Sequence, residues 1–135
     1  MSALRIVPPP RKTDAWGSGA YGASRAGGRR IHNGQDYACF PGSIVLPIKP
    51  GVVSRLGFPY ADDLAFKYVE VTDGDGFRVR YFYVEPMVAV GQQVHQDTPL
   101  GAVQSLQARY AGITEHVHVE VFDPDGRRFD PGEYL

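Results

Sequence analysis

In the stretch EHVHVEV at residues 115–121, polar and apolar residues alternate strictly from His116 onwards. Successive side chains of a β-strand point to opposite faces, so residues two apart share a face. A strand here would turn its valines towards a core and would place His116, His118 and Glu120 side by side on the other face. Such a row could supply half of a metal site or of an acid/base pair. It is equally compatible with the polar outer face of an antiparallel strand.

Short runs of β-branched and aromatic residues recur elsewhere, separated by turn residues. The chain contains 16 glycines and 11 prolines, which is typical of an all-β domain with many turns. The sequence DGDG at residues 73–76 predicts a hairpin turn, because Asp-Gly tolerates the positive φ that such turns need. Residues 104–113 could hold a helical turn, and no long amphipathic helix is predicted. The predicted strands are residues 43–48, 52–56, 67–72, 77–84, 99–103 and 114–122.

The size and composition of the chain fit one domain behind an extended arm. Its 135 residues and 43% hydrophobic content suffice for a real core. Three consecutive prolines favour an extended N-terminus, so we assign residues 1–15 to an arm and 16–135 to the domain. The net charge of −1 gives no reason to expect nucleic acid or an anionic membrane as a partner. The excess of Arg and Lys in residues 1–31 favours either an anionic surface, such as a cell envelope, or a solvated arm.

The N-terminus and the single cysteine carry little functional information. The apolar stretch before the prolines is too short for a signal peptide, so we expect no export signal if Met1 is the native start. No run of apolar residues is long enough to predict a membrane-spanning segment. Cys39 has no partner for an internal disulfide, and a lone cysteine is more often a small apolar residue than a ligand.

A second polar cluster, HNGQD, lies at residues 32–36. Imidazole nitrogen and carboxylate oxygen are ordinary zinc ligands, and a catalytic zinc typically takes three protein ligands and leaves one position open. His32 and Asp36 together with the pair His116 and His118 could provide that set. Gly34 between His32 and Asp36 favours a loop or a strand end. On its own, a surface turn explains the cluster equally well.

Taken in order, several motifs resemble the LytM/lysostaphin-type zinc metallopeptidases, peptidase family M23. They are H-x-x-x-D at residues 32–36, GSIV at 42–45 with PGVV at 50–53, GQQV at 91–94 with LG at 100–101, and HVHVE at 116–120. The resemblance covers roughly residues 20–135. It implies an all-β, mainly antiparallel fold with long loops that border a substrate groove.

The resemblance also assigns residues to the chemistry. It implies His32, Asp36 and His118 as ligands of a Zn²⁺ cofactor, and His116 as a catalytic residue beside the metal. Glu120 then either orients a ligand histidine or is a plain surface glutamate.

The sequence departs from the family pattern at two places. The family's Y-x-H-L is YFYV at residues 81–84, so Tyr83 replaces a second catalytic histidine. Alternation puts Tyr81 and Tyr83 on one strand face, where Tyr83 either donates a hydrogen bond to an oxyanion or lines the groove. The family's G-T-G…G-P segment is replaced by QSLQARYAGITE at residues 104–115. His95 lies in a turn-like segment and is expected to be exposed and structural.

The resemblance implies a zinc endopeptidase that lyses cell walls by hydrolysing peptide crosslinks of bacterial peptidoglycan. We expect a monomer that binds no nucleic acid and does not insert into membranes. It would be a phage or prophage lytic enzyme, or a secreted bacterial enzyme whose signal was removed. The alternative is a non-enzymatic LytM-like domain that binds peptidoglycan or regulates an amidase. The retained ligand set favours the enzyme, and Tyr83 favours the alternative. A carbohydrate- or lipoyl-type β-domain is a third possibility.

Overall fold

The computed structural model describes residues 3–5, 24–25, 30–31 and 34–134. The described residues form short strands and one 3-10 helix, Pro131–Glu133. The strands are β1 (Ala3–Arg5), β2 (Ser24–Arg25), β3 (Arg30–Ile31), β4 (Gln35–Ala38), β5 (Ile44–Leu46), β6 (Gly51–Gly57), β7 (Tyr68–Thr72), β8 (Arg78–Phe82), β9 (Val84–Pro86), β10 (Gln93–Val94), β11 (Gly101–Val103), β12 (His116–Phe122) and β13 (Arg128–Phe129).

The larger sheet carries the histidine strand β12 between several neighbours. Its order is β10-β6-β7-β8-β12-β13, and β4 also pairs with β12. All of these pairs are antiparallel. β12 therefore has β8 on one side, with β4 and then β13 on the other, and side chains from β4, β8 and β12 meet on one sheet face.

The smaller sheet has the order β1-β5-β11-β9. β1 runs parallel to β5, and the other pairs in this sheet are antiparallel. The two sheets contribute jointly to one core, which is dominated by valine. The predicted all-β, mainly antiparallel fold is thereby confirmed.

The alternation in β12 places its valines in that core. Val117, Val119 and Val121 are completely buried. Val119 lies opposite Tyr81, and Val121 lies opposite Val79, so the cross-strand rows continue into β8. Burial of a valine side chain contributes about 1.5–3 kcal/mol, so this row supports the strand register strongly. The register in turn fixes the polar residues on the opposite face of β12.

Each predicted strand overlaps an observed one, with ends that differ by a few residues. The DGDG hairpin is confirmed: Asp73 N donates to Phe77 O over 2.9 Å, and Gly76 has φ of 90°. The helical turn considered for residues 104–113 is limited to one hydrogen bond with the four-residue spacing of an α-helix, from Tyr110 N to Leu106 O over 2.8 Å. The short strands β1, β2, β3, β10 and β13 are not predicted by the sequence.

The predicted strand over residues 77–84 is interrupted at Tyr83. This residue has φ of 70°, the one positive value at a non-glycine position among the residues that the structure describes. The interruption breaks the alternation, so the expectation that Tyr81 and Tyr83 share a face is wrong. Tyr81 is fully buried in the main core, whereas Tyr83 packs into a separate cluster with Phe66 and Leu106.

Little of the predicted N-terminal arm is described. Residues 3–5 pair with β5, and residues 6–15 lie outside the described part of the chain, so the division at residue 15 stays a prediction. His32, the first expected zinc ligand, also lies outside it. Among the described residues, none of the helical structure is long and apolar enough to cross a membrane.

Candidate active site

The site is centred on a carboxylate and an imidazole from paired strands. His118 of β12 lies directly opposite Asp36 of β4 in the antiparallel register. Side chains of directly opposed residues lie on the same face, so the two groups meet. His118 Nδ1 is 2.8 Å from Asp36 Oδ1, and the Asp36 side chain is 2% exposed. The strand-end alternative for the HNGQD cluster therefore holds for Asp36.

Glu120 holds the other nitrogen of the His118 ring. His118 Nε2 is 2.9 Å from Glu120 Oε2, and Arg128 Nε donates to Glu120 Oε1 over 3.2 Å. Glu120 is 8% exposed, so the interpretation as a plain surface glutamate does not hold. A carboxylate behind a ring fixes its orientation and its tautomer, as is usual for histidines that bind metals. This contact points Nδ1 of His118 towards Asp36.

The two carboxylates control the protonation of the His118 ring. Burial favours the neutral ring, but the hydrogen bonds and charges of Asp36 and Glu120 outweigh it and raise the pKa of His118 to about 9. The pKa of Glu120 is lowered, because the contacts with His118 and Arg128 outweigh its own burial. The two carboxylates therefore favour the charged, imidazolium form of the His118 ring.

Gly34 permits the close approach of β4 to the His118 ring. A Cβ at Gly34 would lie 2.8 Å from His118 Nε2 and 2.3 Å from Val119 O. Real Cβ atoms do not come that close, so any side chain would push the ring or the backbone away. The glycine in H-x-G-x-D thus makes the space in which the imidazole meets Asp36.

His116 lies beside this pair and is oriented by the backbone. It is 3% exposed, and its Nδ1 lies 2.6 Å from Thr114 O. A carbonyl oxygen only accepts, so Nδ1 carries a hydrogen, and Nε2 carries the lone pair of the neutral ring. Nε2 is 3.4 Å from Asp36 Oδ2. His116 is therefore arranged as a base or proton carrier next to the Asp36–His118 pair.

The Tyr83 ring also contacts the His116 ring, although Tyr83 does not lie on the strand face that alternation predicts. The Tyr83 ring stands edge-on to the His116 ring, with centroids 5.6 Å apart. Its left-handed backbone is held by bonds from Tyr83 N to Lys67 O (2.8 Å) and from Gln104 N to Tyr83 O (2.9 Å). The Tyr83 hydroxyl is 2.8 Å from the Tyr60 hydroxyl. Burial first, and then the neighbouring phenols and Asp36, raise the pKa of Tyr83 well above 10.

Two of the three expected zinc ligands, Asp36 and His118, lie beside each other in the structure. Two donors bound to tetrahedral zinc lie about 3.3–3.6 Å apart. Asp36 Oδ1 and His118 Nδ1 are separated by 2.8 Å, so a slight opening would admit the ion. Within the described residues no set of three histidine, cysteine or acidic side chains is gathered for a metal. The third expected ligand, His32, is not among them.

Other candidates lie away from the chemistry. His95 is exposed, as expected. Cys39 is half-buried, and burial raises the pKa of its thiol to about 12, which keeps it uncharged. The sequence interpretation misses Tyr60, Tyr110 and Arg109, which join Tyr83 in a hydrogen-bonded cluster. The one available signal is that Arg109 and Tyr110 belong to the segment that departs from the family pattern.

Comparisons with known proteins agree with this architecture. The chain is 35% identical over 125 residues to leukocyte cell-derived chemotaxin-2 of Mus musculus, in a match that covers 93% of this chain and 78% of the relative.

Two solved catalytic domains share the fold. A point mutant of the prophage-encoded M23 protein EnpA of Enterococcus faecalis has a TM-score of 0.68 at 23% identity, covering 98% of this chain and 96% of that one. The antimicrobial peptidase lysostaphin of Staphylococcus simulans has a TM-score of 0.66 at 22% identity, covering 85% and 87%. The sequence pattern of peptidase family M23 matches residues 30–131, which include both expected ligand motifs. The chain therefore belongs to peptidase family M23.

Proposed function

We propose that the protein is a zinc-dependent endopeptidase that hydrolyses peptide bonds in bacterial peptidoglycan. The observation that carries this proposal is the buried Asp36–His118 pair. His118 Nδ1 lies 2.8 Å from Asp36 Oδ1, and Glu120 contacts the other nitrogen of the ring. Membership in a peptidase family supports the reaction type. Likeness to the antimicrobial peptidase lysostaphin and to prophage-encoded EnpA supports a bacterial wall as the target and a lytic role.

The proposed ligands are His32, Asp36 and His118. Zinc at this position would polarise the scissile carbonyl and lower the pKa of a water molecule to about 7. Asp36 and His118 would hold the ion in a buried setting, and Glu120 would keep the His118 ring in the binding orientation. A buried site strengthens each electrostatic contact with the substrate.

His116 is the proposed proton carrier. Because its Nδ1 hydrogen is bound to Thr114 O, its Nε2 is the atom that takes a proton from the attacking water. The same nitrogen then returns the proton to the leaving amine. General acid/base groups of this kind contribute about 10²–10⁴-fold to a rate.

Tyr83 is the proposed donor to the oxygen of the scissile carbonyl. Negative charge develops on that oxygen during attack, and a preorganised hydrogen-bond donor stabilises it. The pKa of Tyr83 is raised, chiefly by burial, so the phenol keeps its hydrogen throughout the neutral range. A histidine in this place would need to be protonated to donate as strongly.

Digestion of purified sacculi tests the proposal. Sacculi with glycine-rich crosslinks and sacculi with direct D-alanyl-diaminopimelate crosslinks are incubated with the zinc-loaded protein, and the released amino groups and peptide ends are identified. We expect new peptide ends that disappear with a chelator and in His116→Ala. Release of sugar ends, or release of peptide ends that persists in His116→Ala, would contradict it.

A non-enzymatic domain that binds or regulates at the wall is the second candidate function. Two observations favour it: Tyr83 stands where the family pattern has a catalytic histidine, and the similar chemotaxin-2 bears a name that describes no peptidase. Under this alternative, the zinc-loaded protein co-sediments with sacculi and releases nothing. The same experiment therefore separates the two candidates.

A further inference from the structure

The two places at which the sequence departs from the family pattern are physically connected. Tyr60, in the loop between β6 and β7, has its hydroxyl 2.8 Å from that of Tyr83 and 2.6 Å from that of Tyr110. Arg109 Nε donates to the hydroxyl oxygen of Tyr110 over 3.3 Å. One continuous chain of hydrogen bonds therefore runs from Arg109 through two phenols to Tyr83.

We propose that Arg109, Tyr110 and Tyr60 are positioning residues that aim the hydroxyl hydrogen of Tyr83 at the substrate. The inference rests on the proposed function, in which the Tyr83 hydroxyl donates to the carbonyl oxygen of the scissile bond. It adds the means by which the segment 104–115, which departs from the family pattern, controls that donor.

The single hydrogen on each phenol allows two arrangements of this chain of hydrogen bonds. A phenolic hydroxyl has one hydrogen to donate and lone pairs to accept with. Tyr60 lies between two hydroxyls, so its one hydrogen goes to Tyr83 or to Tyr110, and its oxygen accepts from the other. If it goes to Tyr110, Tyr83 must donate its own hydrogen to Tyr60. If it goes to Tyr83, the hydrogen of Tyr83 remains for the substrate.

Arg109 selects the second arrangement. A guanidinium can only donate, so the Tyr110 oxygen accepts at that end of the chain. The Arg109 guanidinium also lies 3.7 Å from the centroid of the Tyr60 ring. Its positive charge favours hydroxyl oxygens that face it and hydrogens that point away, towards Tyr83. Asp62 and Asp63 each approach Arg109 Nη1 to 3.7 Å and hold the guanidinium there.

Packing holds the phenols where this orientation can act. Phe66 stands edge-on to both Tyr60 and Tyr83, with centroids 5.9 Å apart in each case. Leu106 and Ile113 complete the cluster from the segment that also supplies Tyr110. Rings packed on several sides cannot swing freely, so the Tyr83 hydroxyl is aimed before substrate arrives. Such preorganisation is what makes a donor effective in a transition state.

A double-mutant cycle on the zinc-loaded full chain tests the coupling. Tyr60→Phe removes one hydroxyl and keeps the ring, and we expect kcat to fall about tenfold with KM unchanged, less than the loss of the donor itself. In the Tyr83→Phe background the same change should have no further effect, because the oriented hydroxyl is already gone. Tyr134→Phe, which removes a buried hydroxyl bonded to Asp73, is the matched control and should leave kcat unchanged. Additive losses from Tyr60→Phe and Tyr83→Phe would overturn the inference.

Neutron diffraction from the deuterium-exchanged protein tests the direction without reference to activity. We expect the deuterium of Tyr110 to lie on the line to the Tyr60 oxygen, and that of Tyr60 on the line to the Tyr83 oxygen. Deuterium of Tyr83 directed at Tyr60 would overturn the inference. An inactive wild-type protein with the expected deuterium positions would contradict the proposed function and leave the orientation established.

Discussion

The two sides of the site are held in place by different forces. On the strand side, backbone pairing between β4 and β12 puts Asp36 opposite His118, with His116 two residues along. On the loop side, Tyr83 lies between β8 and β9 and is held by Tyr60 and by the segment 104–115. The first side is fixed by the sheet register, which the valine core enforces. The second is fixed by two backbone hydrogen bonds at Tyr83 and by side-chain contacts that a few substitutions could change.

The loop side also stores strain that the strand side does not. A bulky residue with φ of 70° costs roughly 1–3 kcal/mol and persists only where the surroundings hold it. Lys67 O and Gln104 N supply two of the bonds that do so. The comparison places the proposed metal and proton chemistry on the paired strands and the proposed hydrogen-bond donor on the loops.

Removal of a strand-side ligand should have the largest effect. Asp36→Ala and His118→Ala each delete one donor of the buried pair, so we expect the zinc content to fall from about one ion per chain to none and hydrolysis to be lost. Elemental analysis after dialysis against zinc measures this. Asp97→Ala, an exposed aspartate, is the control and should retain zinc. Full zinc content in Asp36→Ala would show that the pair is not the metal site.

His116→Ala should keep the zinc and lose turnover. If its imidazole carries a proton without binding the ion, as proposed, the rate should fall about 10²–10⁴-fold. Zinc content and rate are measured on the same sample, with the exposed His95→Ala as control. If zinc departs together with activity, His116 is a ligand and its role has been exchanged with that of His118.

Tyr83→Phe should lower the rate about 10²-fold, as expected for the loss of one oxyanion donor. The ring and its packing remain, so the zinc content should stay the same, and the loss of the hydrogen bond with Tyr60 should lower the free energy of unfolding by about 1 kcal/mol. Unchanged kcat in this variant would mean that the Tyr83 hydroxyl takes no part in the reaction and that the loop side only lines the groove.

Glu120→Gln should weaken zinc binding by about 10–100-fold, because the carboxylate that orients His118 is lost. Competition with a chromophoric chelator measures the affinity. Glu133→Gln, at an exposed position, provides the comparison. Equal affinities in the two variants would argue that the sheet register alone orients the ring.

The last prediction concerns the pH dependence of zinc binding. Zinc must displace the proton on Nδ1 of His118, and in the metal-free protein Asp36 and Glu120 outweigh the lowering effect of burial and raise the pKa of this ring to about 9. Below that pH the proton competes with zinc, so affinity should rise about tenfold per pH unit from 7 to 9 and then level off. Without zinc, the stability of the fold should depend on pH in the opposite direction. The stabilisation that the charged His118 ring contributes is complete below about pH 6.5 and is lost as the pH rises through about 9. Chelator competition between pH 7 and 9 would refute this if the affinity stayed constant.

The strand side could be predicted from the sequence because strand periodicity is a local property. Alternation in EHVHVEV predicts which residues share a face, and the H-x-G-x-D spacing supplies Asp36. The reason for Gly34 could not be inferred there, since it depends on the distance from its Cβ position to the His118 ring. The assignment of His32 stays a prediction.

The loop side could not be predicted, because its contacts are distant in sequence and break the local rule. Tyr60 is 23 residues from Tyr83 and 50 from Tyr110. The positive φ at Tyr83 reverses the face that alternation assigns. The family motif singles out Tyr83. Its ring lies beside that of His116, but the positive φ places it there and not the strand alternation that the sequence predicts.

The central claim is that Asp36 and His118 hold a catalytic zinc that His116 does not bind. Anomalous diffraction at the zinc edge, from crystals of the zinc-loaded protein, tests it most directly. The account predicts one peak per chain, about 2.0–2.2 Å from Asp36 Oδ1 and His118 Nδ1, with His32 as the third ligand and Nε2 of His116 outside bonding distance. No peak at this pair, or a peak bonded to His116, would contradict it.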